Sequence, residues 1–267
     1  MDAVEDLSVL CDNPELRTKA MNMIELNEGA GKTALLIHPM LADAAIVREL
    51  IASRMGDGWH FLIPDLTGHG SAAEFSFSET AKEADDIHTW LEQHGILRVD
   101  YVWGASLGAA VAFAVMRYVN MTFGTMVLDG TPFMKAGSFM TSMIVKKMIG
   151  KHRKALKDRD LSVRKMTELY GAAGPGMAEE MINISEESLE RVIRSCGSAV
   201  YPILTTEQQK HTAFIFGEKD YNAKPGLKKI ADRYPDAEVK VLPGYAHCAM
   251  IGKDPDAYVK LITSYIK

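Results

Sequence analysis

Six short apolar runs, each separated from the next by a stretch of helical character, constrain this chain more than any other feature. They are Thr33–His38, Trp59–Pro64, Asp100–Gly104, Gly124–Asp129, His211–Gly217 and Glu238–Pro243. Strand alternating with helix is the signature of a parallel sheet covered on both faces. Ala34-Leu35-Leu36-Ile37 and Ala213-Phe214-Ile215-Phe216 are apolar at every position, as a strand buried on both sides requires. The connecting helices are expected at Asp43–Met55, Glu79–His94, Ser106–Val119, Pro225–Tyr234 and Pro255–Ile266. An earlier run, Met21–Leu26, reads as an antiparallel partner, with the Gly29-Ala30-Gly31 segment as a hairpin turn. The pattern predicts an α/β fold built on a mostly parallel, doubly wound sheet.

The alternation stops near Thr131 and resumes near His211. Between Thr131 and Val200 the chain holds twelve Lys/Arg against eight Asp/Glu, a balance of +4, leaving 18 against 27, or −9, elsewhere. Seven of the sixteen methionines fall in the same stretch. Its first helix, Ser138–Lys157, is amphipathic, and the breakers at Gly171–Gly176 and Ser185-x-x-Ser188 divide the remainder into short helices. Residues 131–200 therefore read as an all-helical lid inserted into a sheet core of residues 1–130 and 201–267. The ten basic residues from Lys135 to Lys165 face only Asp158 and Asp160. A solvated helix face explains such a run, as does attraction of an anionic substrate or a membrane surface.

Chemistry concentrates at Gly104-Ala105-Ser106-Leu107-Gly108, directly after an apolar run and directly before a helical one. A serine in a tight strand-to-helix turn exposes its hydroxyl, and the flanking glycines remove side chains that would clash there. The backbone N–H of Leu107 then points toward a developing oxyanion at a positive helix end. A serine nucleophile needs a base held by a third group. His247 follows the last apolar run and Asp220 the one before it, so both belong to loops at the same edge of a parallel sheet. Asp129, at the end of Met126-Val127-Leu128, is the alternative acid, and Glu218 the next choice.

With these residues in place the chain resembles the α/β-hydrolase superfamily, and within it the esterase-like serine hydrolases with a helical lid after the sixth strand. The resemblance spans about Met21 to Lys267 outside the lid. It rests on His38-Pro39, Pro64-Asp65-Leu66-Thr67-Gly68-His69-Gly70, the serine turn, Gly217-Glu218-Lys219-Asp220 and Gly244-x-x-His247. It implies a Ser106-His247-Asp220 triad acting on an ester or related acyl bond through an acyl-enzyme. It also implies an oxyanion hole from the backbone amides of Met40 and Leu107. Relatives carry His-Gly where this chain has His38-Pro39; proline lacks an N–H, but the donor falls on Met40, one residue later. His38 and His69 are expected to hold loops together. Serine at the nucleophile position disfavours dehalogenases and epoxide hydrolases of the same fold, which use a carboxylate there. A carbon–carbon bond hydrolase, an acyltransferase or a slow-turnover ligand receptor would present the same triad.

Other signals fail. Gly29-Ala30-Gly31-Lys32-Thr33 resembles the end of a phosphate-binding loop, but Leu26 stands where the first glycine belongs and a strand follows instead of a helix. No G-x-G-x-x-G follows the first strand, and no H-E-x-x-H or C-x-x-C spacing suggests a metal, so neither cofactor nor metal is expected. Cys11, Cys196 and Cys248 read as free thiols. A net charge of −5 gives no basic footprint for nucleic acid. The longest uncharged stretch, Tyr101–Met116, is too short to span a bilayer. The acidic N-terminus lacks a leader pattern, which reads as cytoplasmic.

Overall fold

Each all-apolar run becomes a strand whose two faces are both covered. In the computed structural model, which describes residues 21–133 and 137–266, the strands are β1 (Asn22–Leu26), β2 (Lys32–Ile37), β3 (Trp59–Asp65), β4 (Arg98–Ala105), β5 (Thr122–Asp129), β6 (Thr212–Gly217) and β7 (Glu238–Leu242). They form one sheet in the order β1-β3-β2-β4-β5-β6-β7, parallel except for β1.

Strand pleating sends successive residues to opposite faces, and the core divides accordingly. Leu35, Ile37, Val102, Met126, Leu128, Phe214 and Phe216 pack on one side beneath α3 (Thr80–Gln93), α4 (Leu107–Val115) and α10 (Ala223–Arg233). Ala34, Leu36, Tyr101, Trp103, Val127, Ala213 and Ile215 pack on the other. They lie beneath α1 (Ala44–Val47), which continues through a π-helical turn into α2 (Ser53–Met55), and beneath α11 (Met250–Lys253) and α12 (Pro255–Thr263). Each fully buried large apolar side chain contributes about 1.5–3 kcal/mol, so both helical layers are held firmly to the sheet.

The expected hairpin at Gly29–Gly31 does not form. β1 is antiparallel as anticipated, but it pairs with β3 from Asn22↔Asp65 to Leu26↔Phe61, while β2 lies between β3 and β4. The Gly29–Gly31 turn thus skips one strand position, with β3, buried along its whole length, inserted between the two strands that the turn joins.

Between β5 and β6 lie four longer helices, α5 (Ser138–Lys157), α6 (Arg159–Tyr170), α7 (Gly174–Asn183) and α8 (Glu186–Ser198), followed by the short α9 (Thr206–Lys210). The resemblance places such an insertion after a sixth strand; here it follows the fifth, since only β1 precedes β2 among the described residues. Asp158 caps α6 through the Leu161 N–H, and Ser185 caps α8 through the Ser188 N–H. The insertion is bonded to the sheet core: the Phe77 N–H donates to Ser188 Oγ, the Thr80 N–H to Ser195 Oγ and the Gly70 N–H to Glu180 Oε2. Cys196 and Cys248 are free thiols; Cys11, Lys135 and the acidic N-terminus lie outside the described residues.

Candidate active site

β4 runs directly into Ser106, and the chain turns there into α4. Ser106 adopts φ 51° and ψ −109°, a conformation costly for a residue with a side chain. Two close approaches hold it. A Cβ on Gly104 would collide with the Gly108 carbonyl, and one on Gly108 with the Ile37 carbonyl at the end of β2. The Ser106 N–H also donates to the Asp129 carbonyl at 2.8 Å, tying the turn to β5. The hydroxyl is thus presented above the sheet at the N-terminus of a buried helix.

The loops after β6 and β7 complete the constellation. The Lys219 N–H donates to the Tyr245 carbonyl, and a Cβ on Gly217 would collide with the Ala246 carbonyl, so the two loops lie back to back. From them, His247 Nδ1 bonds Asp220 Oδ2 at 2.8 Å and His247 Nε2 bonds Ser106 Oγ at 2.8 Å. In the tautomer this geometry favours, Nδ1–H donates to the carboxylate and Nε2 accepts from the hydroxyl. Asp220 Oδ1 accepts the Asn222 N–H at 2.8 Å, and the carboxylate is fully buried, so its position is determined on both oxygens.

The other sequence candidates are placed elsewhere. Asp129 is fully buried, accepts the Tyr258 hydroxyl at 2.8 Å, and leaves its Oδ1 without a partner. Burial, above all, pushes its pKa up to about 7. The Tyr258 hydroxyl also accepts the Trp103 indole N–H at 3.0 Å. Glu218 Oε2 accepts the Gly244 N–H at 2.8 Å, which ties the loop after β6 to the loop after β7. His38 Nε2 accepts the Leu66 N–H, and His69 Nδ1 bonds the Thr67 carbonyl; burial lowers the pKa of both, His69 to about 3, so both rings are neutral loop braces. No group of three or more metal-ligating side chains occurs among the described residues.

Two cavities meet at Ser106, of about 140 Å³ and about 230 Å³. Met40, Met148 and Tyr221 line both, and Leu107 lines the smaller. Met40 and Leu107, expected to supply oxyanion-hole amides, and Met148, on the methionine-rich face of α5, line the space at Ser106, whereas Tyr258 and Tyr221 carry no sequence signal of a role there. Tyr258 belongs to a helical apolar pattern and reads as ordinary core. Only its depth, 0% exposed beside a buried acid, marks it out.

A family model described as the alpha/beta hydrolase family matches residues 34–261. The chain is similar to Lipase 1 of Psychrobacter immobilis, 24% identical over 237 residues, which cover 83% of this chain and 73% of the lipase. In structure it resembles a protein of Desulfitobacterium hafniense assigned to the same family, with a TM-score of 0.71 and 18% identity over 92% of this chain and 100% of that one. It also resembles an esterase from Exiguobacterium antarcticum, with a TM-score of 0.69 and 12% identity over 92% and 95% of the two chains. At such identities the structural likenesses speak for the fold alone, whereas the family match runs from β2 to α12. On that match, the chain belongs to the alpha/beta hydrolase family.

Proposed function

We propose that this protein is a serine hydrolase that cleaves a small-to-medium carboxylic ester through an acyl-enzyme. The observation that carries the reading is the unbroken hydrogen-bonded chain Ser106-His247-Asp220 at the meeting point of two cavities. Ser106 Oγ attacks the ester carbonyl as His247 Nε2 takes its proton, and Asp220 holds the imidazole in the required tautomer. The N–H groups of Met40 and Leu107 receive the oxyanion of the tetrahedral intermediate. His247 then returns the proton to the departing alkoxide as the carbon–oxygen bond breaks. Water, activated by the same imidazole, releases the acid and restores Ser106. Residues 131–200 serve as the lid over this site, and residues 1–130 with 201–267 as the catalytic core. The esterase and lipase named above support the ester as substrate class.

The test is turnover of p-nitrophenyl acetate, butyrate and octanoate by the wild type and Ser106→Ala. The expected result is a loss of about 10⁴-fold or more in kcat for the variant, because no other nucleophile stands in its place. Equal rates for both proteins would overturn the proposal. A ligand that raised the melting temperature of an inactive wild type would favour the receptor reading instead.

A further inference from the structure

Helix α5 runs across both cavities and orders them. Its cavity-lining stripe runs from buried Thr141 through half-buried Ile144 and Met148 to solvent-exposed Lys151, spaced three and four residues apart as one helix face requires. Thr141 and Ile144 line only the smaller cavity, Met148 lines both, and Lys151 lines only the larger. His247 borders the larger cavity and not the smaller. Under the proposed function, on which this inference rests, the imidazole must hand its proton to the departing oxygen, so the leaving group lies on the His247 side. The acyl group then occupies the smaller cavity.

The leaving-group cavity does not end in apolar wall. It continues past Lys151, Met166, Leu169 and Met181 into a further cavity of about 290 Å³, where Lys154 and Lys165 join Lys151. No ion pair among the described residues involves these three lysines. Neighbouring arginines behave differently: Arg153 pairs with Glu186 and Arg159 with Glu179, so acids of the insertion are drawn to other sites. Asp158 is the one carboxylate among the residues lining that cavity, and its Oδ1 already caps α6. Partial desolvation at the cavity rim and then the neighbouring Lys147 charge lower the pKa of Lys151.

We propose that the substrate's leaving group is an apolar segment ending in an anionic group, seated between His247 and Lys151, and that the uncharged acyl group occupies the cavity beside Ile144. Three residues separate Met148 from Lys151, about 4.5 Å along the helix. The anion therefore sits at the end of the larger cavity where Lys151 lies, past Met148.

The test compares 4-acetoxybenzoate, whose leaving group carries a carboxylate, with its methyl ester, each rate normalised to alkaline hydrolysis. The wild type is expected to favour the anionic ester by about three- to tenfold in kcat/KM, the range for a partly exposed charge pair. Lys151→Gln brings that ratio toward one and Lys151→Glu inverts it, with melting temperatures recorded for each. Should neither variant fold, raising NaCl from about 0.02 to about 0.5 M on the wild type must shrink the same ratio. A wild-type ratio of one, or a ratio indifferent to Lys151→Gln or to salt, overturns this inference while Ser106-dependent turnover keeps the hydrolase reading intact. Absence of Ser106-dependent turnover of either ester overturns both.

Discussion

His247 stands near two buried carboxylates, and their surroundings divide the work between them. Asp220 bonds the imidazole directly and has each oxygen engaged, whereas Asp129 bonds Tyr258 and has one oxygen orphaned. Asp220→Asn should therefore lower kcat by about 10⁴-fold by presenting the wrong hydrogen-bond partner to Nδ1. Asp129→Asn should change it less than about tenfold, and kcat measured on both variants separates the two roles. A reversed order would transfer the third catalytic role to Asp129. Stability gives an independent reading. The Asp129 pKa rises from 3.8 to about 7 on folding, chiefly through burial, so between those values the folded protein holds a proton that the unfolded chain has released. Folding stability then falls as pH rises across that window and levels off above about 7. Glu83 and Glu180, each pushed to about 7 by burial, act in the same direction. The melting temperature should decline from pH 4 to pH 7, and Asp129→Asn should make that decline shallower; an unchanged slope would remove Asp129 from the account.

At the scale of elements, the serine turn depends on how closely α4 approaches the end of β2. Gly108 lies against the Ile37 carbonyl with no room for a methyl group. Gly108→Ala must push the helix away from the strand that leads to His38 and Met40. A loss of about 1–3 kcal/mol in unfolding free energy is expected, together with weaker turnover, and denaturant unfolding measures it. The parts of the fold legible in the sequence were those in which local pattern and tertiary demand agree. Apolar runs such as Ala213–Phe216 have to be interior strands, and Gly104-x-Ser106-x-Gly108 has few structural meanings between a strand and a helix. The misplaced hairpin at Gly29–Gly31 shows the limit: strand direction follows from local signals, but the neighbour of β1 is β3, a strand more than thirty residues away that no local signal names. Helix α9 escaped because five residues hold little more than one turn of periodicity, although its Thr205 and Gln208 capping box is a readable signal. The Tyr258–Asp129 pair joins residues 129 positions apart, beyond the reach of local pattern. The two cavities depend on where α5 settles over the sheet, which no spacing within α5 reveals.

The net charge of −5 is the sum of an acidic sheet core and a basic insertion, and Lys151, Lys154 and Lys165, which form no ion pair among the described residues, gather where one cavity continues past Ser106. The insertion leaves from the end of β5 and returns into β6, and these strands are direct neighbours, paired from Met126↔Thr212 to Asp129↔Ile215. Entry and exit are therefore adjacent, and no sheet hydrogen bond depends on what lies between them. Such an arrangement works as a cartridge: evolution or a designer can exchange the helices between residues 131 and 200 without rethreading a single strand. Under the proposed function, substrate preference and bond-breaking chemistry would then be inherited separately, the one carried by a replaceable part and the other by the frame that receives it.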